Sequence, residues 1–89
     1  MANVEEVRNR LAGARAIIEP YSSMGELVTK TVEEIRRIEE LVKEPNRDNS
    51  AKALEILGEI EARVGPYGSY VPELVINLSY VKDELKKIL

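Results

Sequence analysis

The groups in this chain with the most obvious chemical potential are carboxylates. Glu5-Glu6, Glu33-Glu34, Glu39-Glu40 and Asp83-Glu84 are adjacent pairs. Two carboxylates can share a divalent cation, or divide acid and base roles, if they converge on one point. Neighbours on a helix point about 100° apart and do not converge. Helical bundles that do hold two metals draw on Glu-x-x-His from two helices, and this sequence contains no His. It contains no Cys either. Thiolate nucleophiles, imidazole bases, disulfides and ordinary zinc sites are therefore absent, and with them the usual nucleophile–base constellations. The expectation is a non-enzymatic chain with no catalytic residue, no metal site and no cofactor.

Two other residue pairs deserve a chemical reading. Tyr21 and Tyr67 sit in the same local context, Pro-Tyr, 46 positions apart. Such rings can stack on a ligand. The repeated placement favours a structural reading, each ring closing the end of a helical hairpin with its hydroxyl in water or on a carbonyl. Arg8 and Arg15 lie one heptad apart and could grip a phosphate. With Glu5 and Glu19 close by, they read instead as edge residues that bury their stems and keep their charge wet.

The elements that would position these residues follow from periodicity. Val4, Val7, Leu11, Ala14 and Ile18 recur at helical spacing, predicting a first helix over Val4 to Ile18, with Asn3 and Glu6 as a capping pair. Pro20 ends it. A second helix is predicted from Gly25 to Lys43, opened by a capping box at Ser23-Met24-Gly25-Glu26, with Val28, Thr31, Val32, Ile35, Ile38 and Val42 inward. Lys30/Glu34, Glu33/Arg37, Arg36/Glu40 and Glu39/Lys43 are i,i+4 pairs that would lace a solvent face. Glu44 to Ser50 is a loop. A third helix is predicted from Ser50 to Val64, with Ala53, Leu54, Leu57, Ile60 and Val64 inward and Gly65 as its C-terminal cap. A fourth runs from Val71 to Ile88, with Pro72 in its first turn and Leu74, Leu78, Val81, Leu85 and Ile88 inward. No segment alternates like a strand.

A shift of 46 lays Leu11 on Leu57, Ala16 on Ala62, Pro20 on Pro66, Tyr21 on Tyr67 and Ser23 on Ser69. Allowing one extra residue in the second elbow lays Glu26-Leu27-Val28 on Glu73-Leu74-Val75. The fold expectation is an all-α, four-helix domain made of two duplicated helix–elbow–helix hairpins: residues 3–44, a linker at 45–50, and residues 50–89. A designed bundle is a third reading of this pattern, against which uneven elbows, Gly68 and Asn77 speak.

Eighty-nine residues make one domain, whose core must come from Ala, Val, Ile, Leu and Tyr because Phe and Trp are absent. The net charge is -3, and the halves are alike: residues 1–45 carry 7 basic and 9 acidic side chains, residues 46–89 carry 6 and 7. That balance leaves no footprint for nucleic acid or an anionic membrane. No apolar run reaches the ~20 residues a bilayer requires. The polar Met1 to Glu6 stretch lacks the basic region and apolar core of a signal peptide. A cytoplasmic protein is expected.

Ala53-Leu54-Glu55-Ile56-Leu57-Gly58-Glu59-Ile60 followed by Tyr70-Val71-Pro72-Glu73-Leu74-Val75 resembles a HEAT-type repeat, a pair of antiparallel helices that stacks into solenoids. The resemblance covers about residues 51–80, and the repeat length of 46 suits it. The first copy departs from it, with Gly25 where the proline stands and Gly13 opposite Glu59. Ala53 to Ile60 with Pro72 to Leu85 is also similar to a small archaeal family of uncharacterised all-helical proteins. The first resemblance implies binding through a helical surface, and neither implies catalytic residues.

On the fourth helix, Ile76 and Tyr80 project roughly 120–160° from the inward stripe and are i,i+4 neighbours. They form a candidate contact patch, with Glu73 and Lys87 as its polar rim. The functional expectation is a protein–protein interaction or self-association module, most simply a homodimer. The alternative is a helical bundle that binds a small molecule.

Overall fold

A computed structural model describes residues 2–89. Four α-helices run in order: α1 Val4–Ile18, α2 Glu26–Leu41, α3 Arg47–Val64 and α4 Pro72–Lys86. Two six-residue 3₁₀ elbows, Glu19–Met24 and Gly65–Tyr70, join α1 to α2 and α3 to α4. The described residues form no strand.

The helices close into a four-membered ring. Each packs on two neighbours, α1 on α2 and α4, α3 on α2 and α4, and the diagonal pairs do not approach. Cross-helix bonds fix the directions. Asn3 N–H meets Glu84 Oε1 at 2.8 Å and Arg10 Nη1 meets Asn77 Oδ1 at 3.2 Å, so α1 and α4 run antiparallel. Arg15 binds Glu39, Glu34 binds Arg63 and Lys82 binds Glu61, giving the same sense to the other three seams. The result is an antiparallel bundle 36 × 21 × 20 Å, with both elbows at one end and the α2–α3 loop at the other.

The core is the predicted stripe. Val7, Leu11, Ala14 and Ile18 of α1 are buried, as are Ala53, Leu57, Ile60 and Val64, which stand 46 positions later. Ile56 joins them, although the stripe read from the sequence did not include it, while Leu54 is only half-buried. The duplication extends to the elbows, which occupy 19–24 and 65–70, and to the helices that follow, which begin at Glu26 and Pro72. The shift is 46 throughout. The extra residue assigned to the second elbow is not there: Leu27, which it would equate with buried Leu74, is largely exposed. With the uniform shift Leu74 matches Val28 and Leu78 matches Val32, all packed on the core.

Several local expectations are corrected. The Ser23–Glu26 capping box does not form. Gly25 is the residue before α2, at φ 151° and ψ 165°, and no side chain caps the first turn. That backbone region is open essentially to glycine, so the elbow turns on a residue type rather than on a hydroxyl. Thr29 Oγ1 instead donates to the Ser22 carbonyl at 2.7 Å, tying elbow to helix. Pro20 does not push Glu19 out of the helical region (φ −55°, ψ −39°); the chain tightens to 3₁₀ geometry around it. Gly65 is likewise helical at φ −47° and opens the second elbow, so it is no left-handed cap.

The α2–α3 connection is shorter than expected. Asn46 caps α3 by accepting from Asn49 N–H at 2.8 Å, starting that helix at Arg47 and not at Ser50. Asn49 Nδ2 then reaches back to the carbonyls of Leu41 and Glu44, at 3.2 and 2.9 Å, and Arg8 Nη2 donates to the Val42 carbonyl at 3.3 Å. Carbonyls left free at the end of α2 are satisfied by two other helices. Arg8 is therefore a brace rather than a phosphate grip.

None of the four i,i+4 pairs predicted on α2 forms. Glu39 binds Arg15 Nε at 2.7 Å, Arg36 reaches Glu19 at 3.2 Å, and Glu34, buried between α2 and α3, binds Arg63. Glu34, Arg36 and Glu39 thus reach across to other elements, while Lys43 pairs with Glu40 at i,i+3. Glu34 is consequently not on a wet face.

Leu57 is fully buried among all of this. Leu57→Ala is expected to lower stability by about 2–5 kcal/mol in urea melts followed by circular dichroism. A loss under about 1 kcal/mol would show that the core closes around the gap.

Glu84 yields a second prediction. The Lys87 ammonium, then the Asn3 backbone N–H, hold its carboxyl below the usual range, and Lys87 is raised in turn by Glu84. A lowered carboxyl contributes stability that is full above its unfolded pKa of about 4 and is lost as pH falls through the folded value. The raised Lys87 contributes stability that is full below about pH 10 and is lost as pH rises through its folded value. Glu84→Gln is expected to flatten the acid limb of a pH series of urea midpoints. An unchanged slope below about pH 4 would remove Glu84 from the acid response.

Candidate functional site

The acidic pairs do not converge: among the described residues no group of three carboxylates stands close enough to hold a metal ion. Between α2 and α3 an open groove of about 810 Å³ is edged by Arg36, Arg37 and Lys52 facing Glu40, Glu55 and Glu59. Both signs alternate there, so it offers no net field for an anion or a cation.

The four residues expected to form a contact patch do not act as one. Ile76 is exposed, at 59%. Tyr80, one turn on, is half-buried against the core edge, and the Arg10 guanidinium lies over its ring at 4.7 Å from the centroid. That cation–π contact belongs to the α1–α4 seam, where Arg10 also holds Asn77. Tyr80 lies about 40° further round the helix than Ile76, on the side that packs against α1 and the core. Glu73 is exposed near Ile76. Lys87 is bonded to Glu84, about 16 Å along the axis from Ile76 at 1.5 Å per residue, and so does not rim it.

The exposed apolar side chains are unevenly placed. Every exposed large one among the described residues, except Leu89, falls within 21–27 or 67–76. Both windows lie at the elbow end, and the 46-residue shift equates Tyr21 with Tyr67 and Met24 with Tyr70, while Val75 and Ile76 stand opposite Thr29 and Lys30 and belong to the second copy alone. Met24 and Tyr70, at matching positions, are 76% and 81% exposed. The sequence reading singled out Tyr21 and Tyr67 but not this pair, although the same shift equates them.

Two hollows open among these residues. One is a groove of about 360 Å³ where the end of α3, the second elbow and the start of α4 meet, lined by Val64, Gly68, Pro72, Val75 and Ile76. The other is a cavity of about 280 Å³ between the two elbows. Ile18, Val28 and Thr31 wall it from the first hairpin, and Val64, Val71 and Leu74 from the second, with Tyr21, Tyr67 and Tyr70 around the mouth. Thr31 brings no free polar atom, since its hydroxyl donates to the Leu27 carbonyl at 2.7 Å. Tyr21 and Tyr67 thus do not each shut their own hairpin. Half-exposed, they stand on opposite sides of a space shared by both. No helix among the described residues is long and apolar enough to cross a membrane.

No family model matches the chain, and neither the curated proteins nor the solved structures include a significant match.

Proposed function

We propose that the chain is a non-catalytic interaction module whose working surface is the elbow end and the adjoining face of α4, and that its partner is a second copy of itself. The observation that carries this reading is the crowding of exposed apolar side chains at one end of an otherwise charged bundle. An isolated exposed apolar residue needs no explanation; a cluster repeated in both halves of a duplicated chain does.

Self-association is favoured over a foreign partner because one face carries both a projection and a recess. Ile76 stands beside the groove lined by Val75, Pro72 and Gly68. A two-fold axis near α4 would set Ile76 of each copy into the groove of the other and count the same favourable contact twice. Exposed Glu73 supplies part of a polar edge. Nucleic acid is a poor partner for a chain of net charge -3 with no basic face, and a small helical bundle is a common scaffold for recognition by packing alone.

Light scattering across a concentration series tests this. The wild type is expected to approach twice the monomer mass at high micromolar concentration, and Ile76→Asp to remain a helical monomer. Tyr80→Asp should behave differently, losing helicity, because that ring is packed against the core. A wild type that stays monomeric at millimolar concentration would refute the self-association reading.

A further inference from the structure

We infer that the cavity between the elbows is a binding site for a neutral, lipophilic small molecule the size of two fused rings, with a single hydrogen-bonding group directed at the tyrosine rim.

Size is the first argument. A dry apolar cavity of about 150 Å³ accommodates one benzene, and this one is about 280 Å³. It approaches the lower end of the range typical of small-molecule sites, about 300 Å³. Water there would forfeit hydrogen bonds that an apolar guest does not need.

Charge is the second. A third of the chain is charged, yet no Asp, Glu, Lys or Arg lines this cavity. An ionised ligand group would lose hydration inside it and find no counter-ion. The electrostatic match is therefore to a neutral molecule.

The rim is the third. Among the described residues, no protein hydrogen bond engages the hydroxyls of Tyr21, Tyr67 or Tyr70, and all three belong to the mouth. A phenol is at once donor and acceptor, and its ring presents a flat apolar face. Three of them around one opening suit a guest whose body is apolar and whose one polar group remains at the surface. The walls also come from both hairpins, so a bound ring would sit between the duplicated halves with one side open to the mouth.

The site is distinct from the groove beside Ile76, and the two can be separated experimentally. Titrating naphthalene, 2-naphthol and 2-naphthoate into ¹⁵N-labelled protein should produce saturable amide shifts at Thr31, Val64 and Val71 with the first two. For guests of ten or eleven heavy atoms, Kd should be roughly 0.1–1 mM. 2-Naphthoate should bind at least about tenfold more weakly, because its carboxylate must stay in water or be desolvated. Val28→Phe should abolish the shifts by filling the cavity from α2. Val71→Phe, which fills it from the other hairpin, serves if the first variant loses its helicity. Ile76→Asp should leave binding unchanged. The inference is overturned if no neutral probe saturates, if 2-naphthoate binds as tightly as 2-naphthol, or if a folded, filled variant binds as the wild type does.

Discussion

The contact that closes the ring is the one between α1 and α4. The other three seams are joined by a short connection, so the chain itself keeps those helices near each other. α1 and α4 are far apart in sequence, and only side chains bring them together. At Gly13 the two helices lie close: a Cβ there would stand 3.4 Å from Asn77 Nδ2, at ordinary van der Waals distance. Arg10 binds the Asn77 amide of α4 and lies across the Tyr80 ring. At the far end Glu84 receives the Asn3 N–H, an unpaired donor at the start of α1. Without this seam the two hairpins would be joined only along α2 and α3, and the ring would stay open between α1 and α4.

The elbow-end cavity follows from that closure together with the composition. Each elbow spends six residues in 3₁₀ geometry, which rises about 2 Å per residue and carries the chain outward rather than across the bundle. At this end a pocket stays open between the elbows, whereas Leu11 and Leu57 are fully buried. Filling that pocket requires large side chains pointing inward. The chain has no Phe or Trp, and three of its tyrosines are held at the rim by backbone that turns away from the axis. The β-branched residues beneath them are too short to meet. The loop end differs in kind: there Asn46, Asn49 and Arg8 consume the free backbone groups, and the connection is short enough to cover the core.

How much of this was legible in the sequence can be judged residue by residue. Helix count, the inward faces of α1 and α4, and the equivalence of Leu11 with Leu57 followed from spacing alone, since burial of one face is what a 3.6-residue period encodes. Helix ends were less legible. Ser23 had the right neighbours for a cap, but glycine at 25 allowed a backbone turn that put the hydroxyl elsewhere, and Asn46 started α3 four residues ahead of Ser50. Charge pairing was least legible. Arg15 could reach Glu19 along its own helix or Glu39 on another, and it does both; only the packing of α1 on α2 makes the second option available. The cavity had no sequence signal beyond the repeated tyrosines, because a void is a property of how elements diverge and not of any residue in them.

The distribution of polarity along the bundle has its own logic. Exposed apolar side chains invite indiscriminate association, and a chain gains nothing from keeping them unless they are used. Ordinary drift toward solubility would replace Met24, Tyr70 and Ile76 with polar residues at little cost to the fold, since none of them contributes to the buried core. Elsewhere the surface is mostly charged, and several of these side chains pair across seams. Duplication alone does not account for the exception: the two copies differ at most exposed positions, yet Met24 and Tyr70 both present a large apolar group to solvent from the same place in each elbow. Neither belongs to the buried core, and both add to the apolar end on which the proposed self-association rests.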